Sequence, residues 1–462
     1  MPSSMTTIKH ISSILALGLI IASIQGCASK KVEQPTEYYN DLSVVPETSQ
    51  LAIPFKIYRP DLERSINQYL DSILYADYDM ADDGLQMVAK KAGPIRIDFS
   101  NDTIFYTVPV NIWIRRDLGI TSATGEGSIE LEFKSDWAIS YDWQLTTHTE
   151  LKSYRWLRRP VLKTALFDIP ITPIVNYFLD RSRTDIAAAI DEEVKNMFDL
   201  RKEMEYAWQQ LHQPFLLSEE YMAWLLLNPL SISMPPIEQR GDTLLSAIQV
   251  ECRPTIQVGS TPFPPAPPPL PYLQRSIFEE NLFKMQIVAT IPFSEARRIS
   301  KATMLGETYT YGRKKVTIED IDIYGRGNQL VVKTTLSGSY KGDVYFTGRP
   351  AFNARKNAVE LESVDFDFST KKALLRTASW LFKGRLRQSV EESLNYYLNY
   401  NLEDTANYIR ESIENYPVAP GITLQGDLDE LSVSHVYISP DGIHVRISLV
   451  GKVALDVRGI GL

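Results

Sequence analysis

The chain has 462 residues, of which 44% are hydrophobic and 23% charged, and a formal net charge of −9. That length suits two to three domains, and a modest acidic balance without a basic stripe argues against a nucleic-acid partner. Only Cys27 and Cys252 are present, too few for a disulfide framework.

The N-terminus reads as a processing signal. Lys9 and His10 precede an apolar run from Ile14 to Ile24, shorter than a membrane span and shaped like a secretory signal. The run ends Ile24-Gln25-Gly26-Cys27, which resembles the bacterial lipobox. The resemblance implies that residues 1–26 are removed and that Cys27 is lipidated. Acyl chains bury methylenes at about 0.8 kcal/mol each, so Cys27 would fix the chain to a membrane. Ala28, not Asp, follows Cys27, and no acidic run follows it. By resemblance to sorting rules, this implies an outer-membrane lipoprotein facing the periplasm. Residues 27–47 are polar and aperiodic, an expected flexible tether.

A first module is expected over 48–258. It opens with a strand, Leu51–Tyr58, then Pro60 and a helix with Leu62, Ile66, Tyr69, Leu70 and Ile73 on one face. Ile95, Ile97 and Phe99 lead to a turn at Ser100-Asn101-Asp102. The return strand carries Ile104, Tyr106, Val108, Val110, Ile112 and Ile114 on one face. After a strand with Ile129, Leu131 and Phe133, alternation runs unbroken from Trp137 to Lys152, predicting a strand of roughly 50 Å. A helix then starts near Thr172-Pro173 and keeps its stripe to Trp208, about 60 Å if continuous.

Residues 259–272 hold the run Ser260 to Leu270-Pro271, with seven prolines in twelve residues. Such a run is extended and polyproline-like, and is expected to link two modules. The second module, 273–462, repeats the plan. Phe283–Thr290 is its first strand, with Ser294 a cap for the next helix. Strands are expected near 315–324, 329–338, 343–349 and 357–368, and a helix from about 371 to 415. Leu230-Ser231-Ile232-Ser233 is echoed by Leu431-Ser432-Val433-Ser434, and Gly241 by Gly442. Self-similarity at this distance indicates two copies of one large unit. In each, a long helix with one apolar stripe and long strands with one apolar face complete one another.

No catalytic motif is present: neither a nucleophile elbow nor a Ser-x-x-Lys set, nor a phosphate loop. His148 and His444 fall on outward strand faces, and no pair has metal-ligand spacing, so no metal and no cofactor are expected. Asp320/Asp322 and Asp365/Asp367 alternate with apolar residues and read as solvent-face decoration. Cys252 reads as a small buried apolar residue. Trp137, Tyr141 and Trp143 share a face with Ile139 and Leu145, which favours core packing or the wall of an apolar cavity over sugar stacking. The chain is expected not to be an enzyme.

Ala52-Ile53-Pro54, Gly93-Pro94-Ile95, Val108-Pro109-Val110-Asn111-Ile112-Trp113, Ala207-Trp208, Trp224-Leu225 and Gly348-Arg349-Pro350 resemble an envelope lipoprotein family, domain of unknown function 4403. Element length, order and duplication also resemble tubular lipid-binding proteins of the bactericidal/permeability-increasing type. That resemblance implies an α+β fold of two duplicated modules, each a long curved antiparallel sheet wrapped around a long helix. It implies a lipid or another elongated apolar molecule as partner, held between sheet and helix. The lining residues would be Trp137, Ile139, Tyr141, Trp143, Leu145, Ile186, Ile190 and Val194, and in the second copy Leu386, Val390, Leu394 and Leu398. The alternative is a structural or glycan-binding envelope protein with fully packed modules.

Overall fold

The computed structural model describes residues 32–40, 46–81, 84–100, 102–117, 122–163, 168–219, 222–277, 283–353, 355–356, 358–383, 385–398, 402–419 and 421–458. They form a sheet-rich mixed α+β protein. The chain divides into a larger unit, residues 43–291, 401–436 and 444–462, and a smaller one, residues 1–42, 292–400 and 437–443. The proline segment 259–272 lies inside the larger unit.

In the larger unit β1 (Ser49–Tyr58) leads into α1 (Arg59–Tyr69), where Pro60 sits in the first turn and its missing amide costs nothing. Ile73, expected on that helix, instead begins β2 (Ile73–Asp77). There follow β3 (Leu85–Lys91), β4 (Arg96–Ser100), β5 (Thr103–Asp117), β6 (Ser122–Ile139), β7 (Leu145–Lys163) and β8 (Asp168–Pro170). They form one seven-stranded sheet, in the order β2-β3-β5-β6-β7-β8 with β4 on β5. β6 and β7 are 18 and 19 residues long, roughly three times the common strand length. One face is apolar and buried, including Val110, Ile114, Ile129, Phe133, Leu151 and Leu162. The other is solvated and carries cross-strand ion pairs such as Glu130–Arg155. Gly125 lies where a Cβ would come within 2.7 Å of the Val161 carbonyl oxygen, beside the register shift at Glu126/Ser128. Only glycine allows so close an approach of two backbones.

The single strand expected over 137–152 is a hairpin. Ser140 N–H donates to Gln144 O (2.9 Å), Trp143 N–H to Ser140 O (3.1 Å), and Trp143 has φ 66°. Ile139 pairs directly with Leu145. Paired residues an even number of positions apart share a face, so the turn preserves the period-two alternation and hides itself from the pattern.

The long helix is likewise three: α2 (Thr172–Arg181), α3 (Arg183–Met197) and α4 (Leu200–Leu211). Ser182 interrupts it at φ −93°, ψ 8°. Asp199 restarts it, accepting a 3.1 Å bond from Lys202 N–H. One or two non-helical residues barely rotate the stripe, so its periodicity runs through both breaks.

Next come β9 (Phe215–Ser218), β10 (Ala223–Leu226), β11 (Pro229–Met234), β12 (Glu238–Arg240), β13 (Thr243–Cys252), β14 (Thr255–Val258), β15 (Gln274–Arg275) and β16 (Phe283–Pro292). The smaller unit then contributes α5 (Phe293–Met304), β17 (Thr308–Tyr311), β18 (Lys314–Arg326), β19 (Gln329–Gly338), β20 (Gly342–Asn353), β21 (Ala358–Phe366), α6 (Phe368–Thr377), a 3-10 turn at Ser379–Lys383 and α7 (Leu386–Leu398). Pro292 caps α5, so Ser294 lies inside its first turn. β17 to β21 form a five-stranded sheet in sequence order. The helix expected over 371–415 is α6, the 3-10 turn, α7 and α8 (Leu402–Glu414). The chain closes with β22 (Tyr416–Ala419), β23 (Ile422–Ser439) and β24 (Gly442–Val457).

The echoed strings lie on β11 and β23, and their return strands β13 and β24 begin just after Gly241 and at Gly442. Both returns flank β1: β13 antiparallel over its whole length, β24 in parallel through Phe55↔Leu455. The sheet order is β13-β1-β24-β16, so β1 lies between β13 and β24, and β16 lies on the other side of β24.

The proline segment is a strap. Trp143 Nε1 donates to Pro271 O (2.9 Å) and Trp208 Nε1 to Pro268 O (2.8 Å). Leu273 N–H donates to Tyr141 O (2.8 Å). Beneath it Trp143, Met204, Trp208, Ile232 and Cys252 are buried together, and burial raises the Cys252 thiol to about 11.

Replacing Trp143 with Phe should remove the bond to Pro271 and lower stability by roughly 1–2 kcal/mol in a urea titration. An unchanged midpoint would contradict a bonded strap. Gly125→Ala should cost about 1–3 kcal/mol by forcing β6 from β7, whereas Gly241→Ala, with open space around it but φ 61°, should perturb only its own turn.

Candidate ligand groove

The apolar face of the seven-stranded sheet is covered by α2 and α3. Ile171, Val175 and Leu179 are fully buried with Met87, Ile114, Phe133, Leu151 and Leu162 of the sheet. Further along the seam burial is incomplete. Phe178, Ile186 and Ile190 of the helices, and Leu131, Tyr154 and Trp156 of the strands, pack against this cluster but stay half-buried. At one end Leu85, Ile114, Arg116, Leu162, Ile171 and Ile174 line a cavity of about 10 Å³. That is at the limit for one water molecule.

A polar clasp crosses the seam. Asp191 of α3 accepts from Thr147 Oγ1 (2.7 Å), Thr149 Oγ1 (2.6 Å) and Thr149 N–H (3.1 Å). Thr149 bonds Ser135 (2.5 Å), and Ser135 bonds the Tyr106 hydroxyl (2.7 Å). Ser135 and Thr149 are 3% and 4% exposed, on the same face as Phe133 and Leu151. Burial pushes the Tyr106 hydroxyl pKa up, against the lowering effect of its Ser135 and Thr149 bonds. A carboxylate with three donors is a strong local tie, and here it holds α3 across β7. The sequence contains the signal: Asp191 falls on the apolar stripe of α3, four residues after buried Ala187 and three before Val194. The hydroxyls fall on the inward face of β7.

The expected lining residues separate into groups. Ile186 and Ile190 lie on the seam, and Val194 is half-buried further along α3. Trp137 is half-buried on β6 opposite Thr147, its indole N–H without a partner among the described residues. Ile139 packs under the strap, and Leu145 is half-buried opposite it. Trp143 and Tyr141 do not face the seam, because both sit in the turn. Trp143 is 2% exposed beneath the strap, and Tyr141 is 68% exposed against the Tyr272 ring. Leu386 and Val390 are buried on α7 in the smaller unit. There Leu386, with Tyr309, Tyr311, Val316, Trp380 and Leu381, lines a second cavity of about 10 Å³. Leu394 and Leu398 also fall on α7, with side chains outside the described residues, as is Cys27.

The carboxylate pairs do not converge on a shared site. Asp320 meets Lys301 (2.7 Å), which holds its carboxyl below the usual range, and Asp322 meets Arg297 (3.3 Å). Asp365 meets Lys371 (2.5 Å), whereas Asp367, buried, meets Arg326 (3.0 Å) and caps α6 through Ser369 N–H. His148 is exposed as expected. His444 is not: it is 6% exposed and bonds the Thr290 hydroxyl at 2.9 Å. The first four residues of β24, 442–445, are all buried, so the face expected to be free is covered at this end of the strand. Among the described residues no group of three His, Cys, Asp or Glu is placed to hold a metal, and no helix is long and apolar enough to cross a membrane.

No curated protein matches the chain. A solved structure titled "Crystal structure of lipopolysaccharide binding protein" aligns with 90% of this chain and 100% of its own, at 10% identity and a TM-score of 0.30. A likeness at that score carries no argument about fold or ligand. The family profile described as a domain of unknown function (DUF4403) matches residues 47–457, nearly all of the described chain. The chain belongs to that family.

Proposed function

We propose that the protein is a membrane-tethered envelope lipoprotein that binds or transfers a lipid or another elongated apolar ligand between the seven-stranded sheet and α2–α3. The supporting observation is the half-buried apolar seam at Phe178, Ile186, Ile190, Leu131, Tyr154 and Trp156. Apolar surface left partly in water gains about 25 cal/mol per Å² when an alkyl chain covers it. β7, at 19 residues, spans roughly 60 Å and can accommodate a long chain.

In this reading α3 is the moving part. It is a separate helix, with non-helical residues at Ser182 and at Phe198–Asp199, and Asp191 is its latch. Opening exchanges the carboxylate–hydroxyl bonds for water and frees the seam, and closing re-forms them around the ligand. The acyl group on Cys27 and an outer-membrane, periplasm-facing location are part of the same proposal. So is a duplicated two-module architecture, which the sheet order β13-β1-β24-β16 supports.

The small cavities favour a second reading, a packed structural or glycan-binding protein. Its sugar-stacking surface would be the exposed tyrosines Tyr69, Tyr75, Tyr78 and Tyr177.

Native mass spectrometry of the chain from residue 28 should detect a co-purified lipid, or uptake of a long-chain fatty acid. If neither occurs, the lipid reading is wrong. Asp191→Ala leaves the Thr147 and Thr149 donors unmatched and should lower stability by about 2–3 kcal/mol. It should also speed uptake of a fluorescent fatty acid. Lower stability with unchanged uptake would make Asp191 a packing residue rather than a latch.

A further inference from the structure

The smaller unit's sheet has an apolar patch on a face that is otherwise polar. Tyr324, Val331 and Tyr345 come from three adjacent strands and are 7%, 0% and 2% exposed. Neighbouring positions on that face carry Asp320, Asp322, Lys333 and Asp343, which make ion pairs in or near solvent. What covers the patch is the N-terminal segment, expected as a loose tether. Val32 packs against this cluster, and Pro35 is buried. Tyr324 donates its hydroxyl hydrogen to Pro35 O (2.9 Å), and Gly327 N–H donates to Tyr38 O (2.7 Å), where Tyr38 bridges to Arg326 in parallel. The Tyr39 ring lies over Gly325, in space a Cβ would occupy, and 6.2 Å from the ring of Phe293. Burial, then the bond to Glu37, raises the Tyr39 hydroxyl to about 12.

We propose that residues 32–39 are a docking segment that holds this sheet face of the smaller unit against the bilayer to which Cys27 is anchored. The proposal rests on the reading of Cys27 as acylated. Chain length carries the rest. Cys27 to Val32 is five residues, at most about 17 Å of extended chain, whereas a free tether from Cys27 to Glu47 would allow about 70 Å. Docking therefore removes most of the reach and leaves residues 32–39, with the sheet face around them, within one short leash of the lipid surface. The partner of this surface is a phospholipid bilayer.

The test uses the full-length chain in vesicles of phosphatidylethanolamine and phosphatidylglycerol containing a headgroup nitroxide lipid. A fluorophore is placed at Thr347→Cys, which pairs with Val331. Membrane quenching is expected, and it should be lost when a ten-residue Gly/Ser insertion separates Lys31 from Val32. Equal quenching with and without the insertion, or none in a chain whose mass shows the acyl groups, overturns the proposal while leaving the anchor intact. A chain without acyl groups overturns the anchor reading and this proposal with it. Spin labels at Glu33→Cys and Thr347→Cys in the unacylated chain read docking separately. A broad distance distribution there also overturns the proposal.

Discussion

The larger unit depends on one requirement: a sheet with strands of 15 to 19 residues and a single apolar face must have that face covered. Burial of such a face is the dominant favourable term in folding, and strands of this length need a cover of matching length. Two helices in series, α2 and α3, supply it where one continuous rod was expected. The breaks do not forfeit coverage, because the apolar stripe continues across them. They add two places where the cover can pivot.

The clasp at Asp191 has meaning within that requirement. An apolar seam alone fixes neither the register nor the angle of a helix. One carboxylate bonded to two hydroxyls and an amide on β7 sets both, because leaving those donors unmatched is costly. It also places a water-exchangeable tie in the middle of an otherwise apolar contact. The strap beneath Trp143 and Trp208 is a different kind of tie. Proline carbonyls have no helical or sheet partner, and two indole N–H groups supply one.

Much of this was legible in the sequence, and the misreadings share a cause. Alternation located β5, β6 and the apolar face of β7, and helical spacing located α2 to α4. Periodicity reports which face a residue takes, not whether the chain is continuous. The turn at Ser140–Gln144 preserves parity, so alternation alone puts Tyr141 and Trp143 on a face they do not occupy. The break at Asp199 was marked by a capping residue that the unbroken stripe overshadowed. Docking of residues 32–39 was not legible, because its partners, Tyr324, Val331 and Tyr345, lie nearly 300 residues away. Each of these reads on its own strand as one more outward position. His444 departs from its pattern for a similar reason: alternation does not report that both faces of a strand's end are buried.

The central claim, that the seam under α3 opens to take an apolar ligand, is most directly tested by hydrogen exchange of the chain from residue 28 with and without phospholipid. Lipid should change exchange at the α3 amides and at the β6–β7 positions facing them, with the twelve-stranded sheet unaffected. Exchange at α3 that is identical with and without lipid would contradict the account.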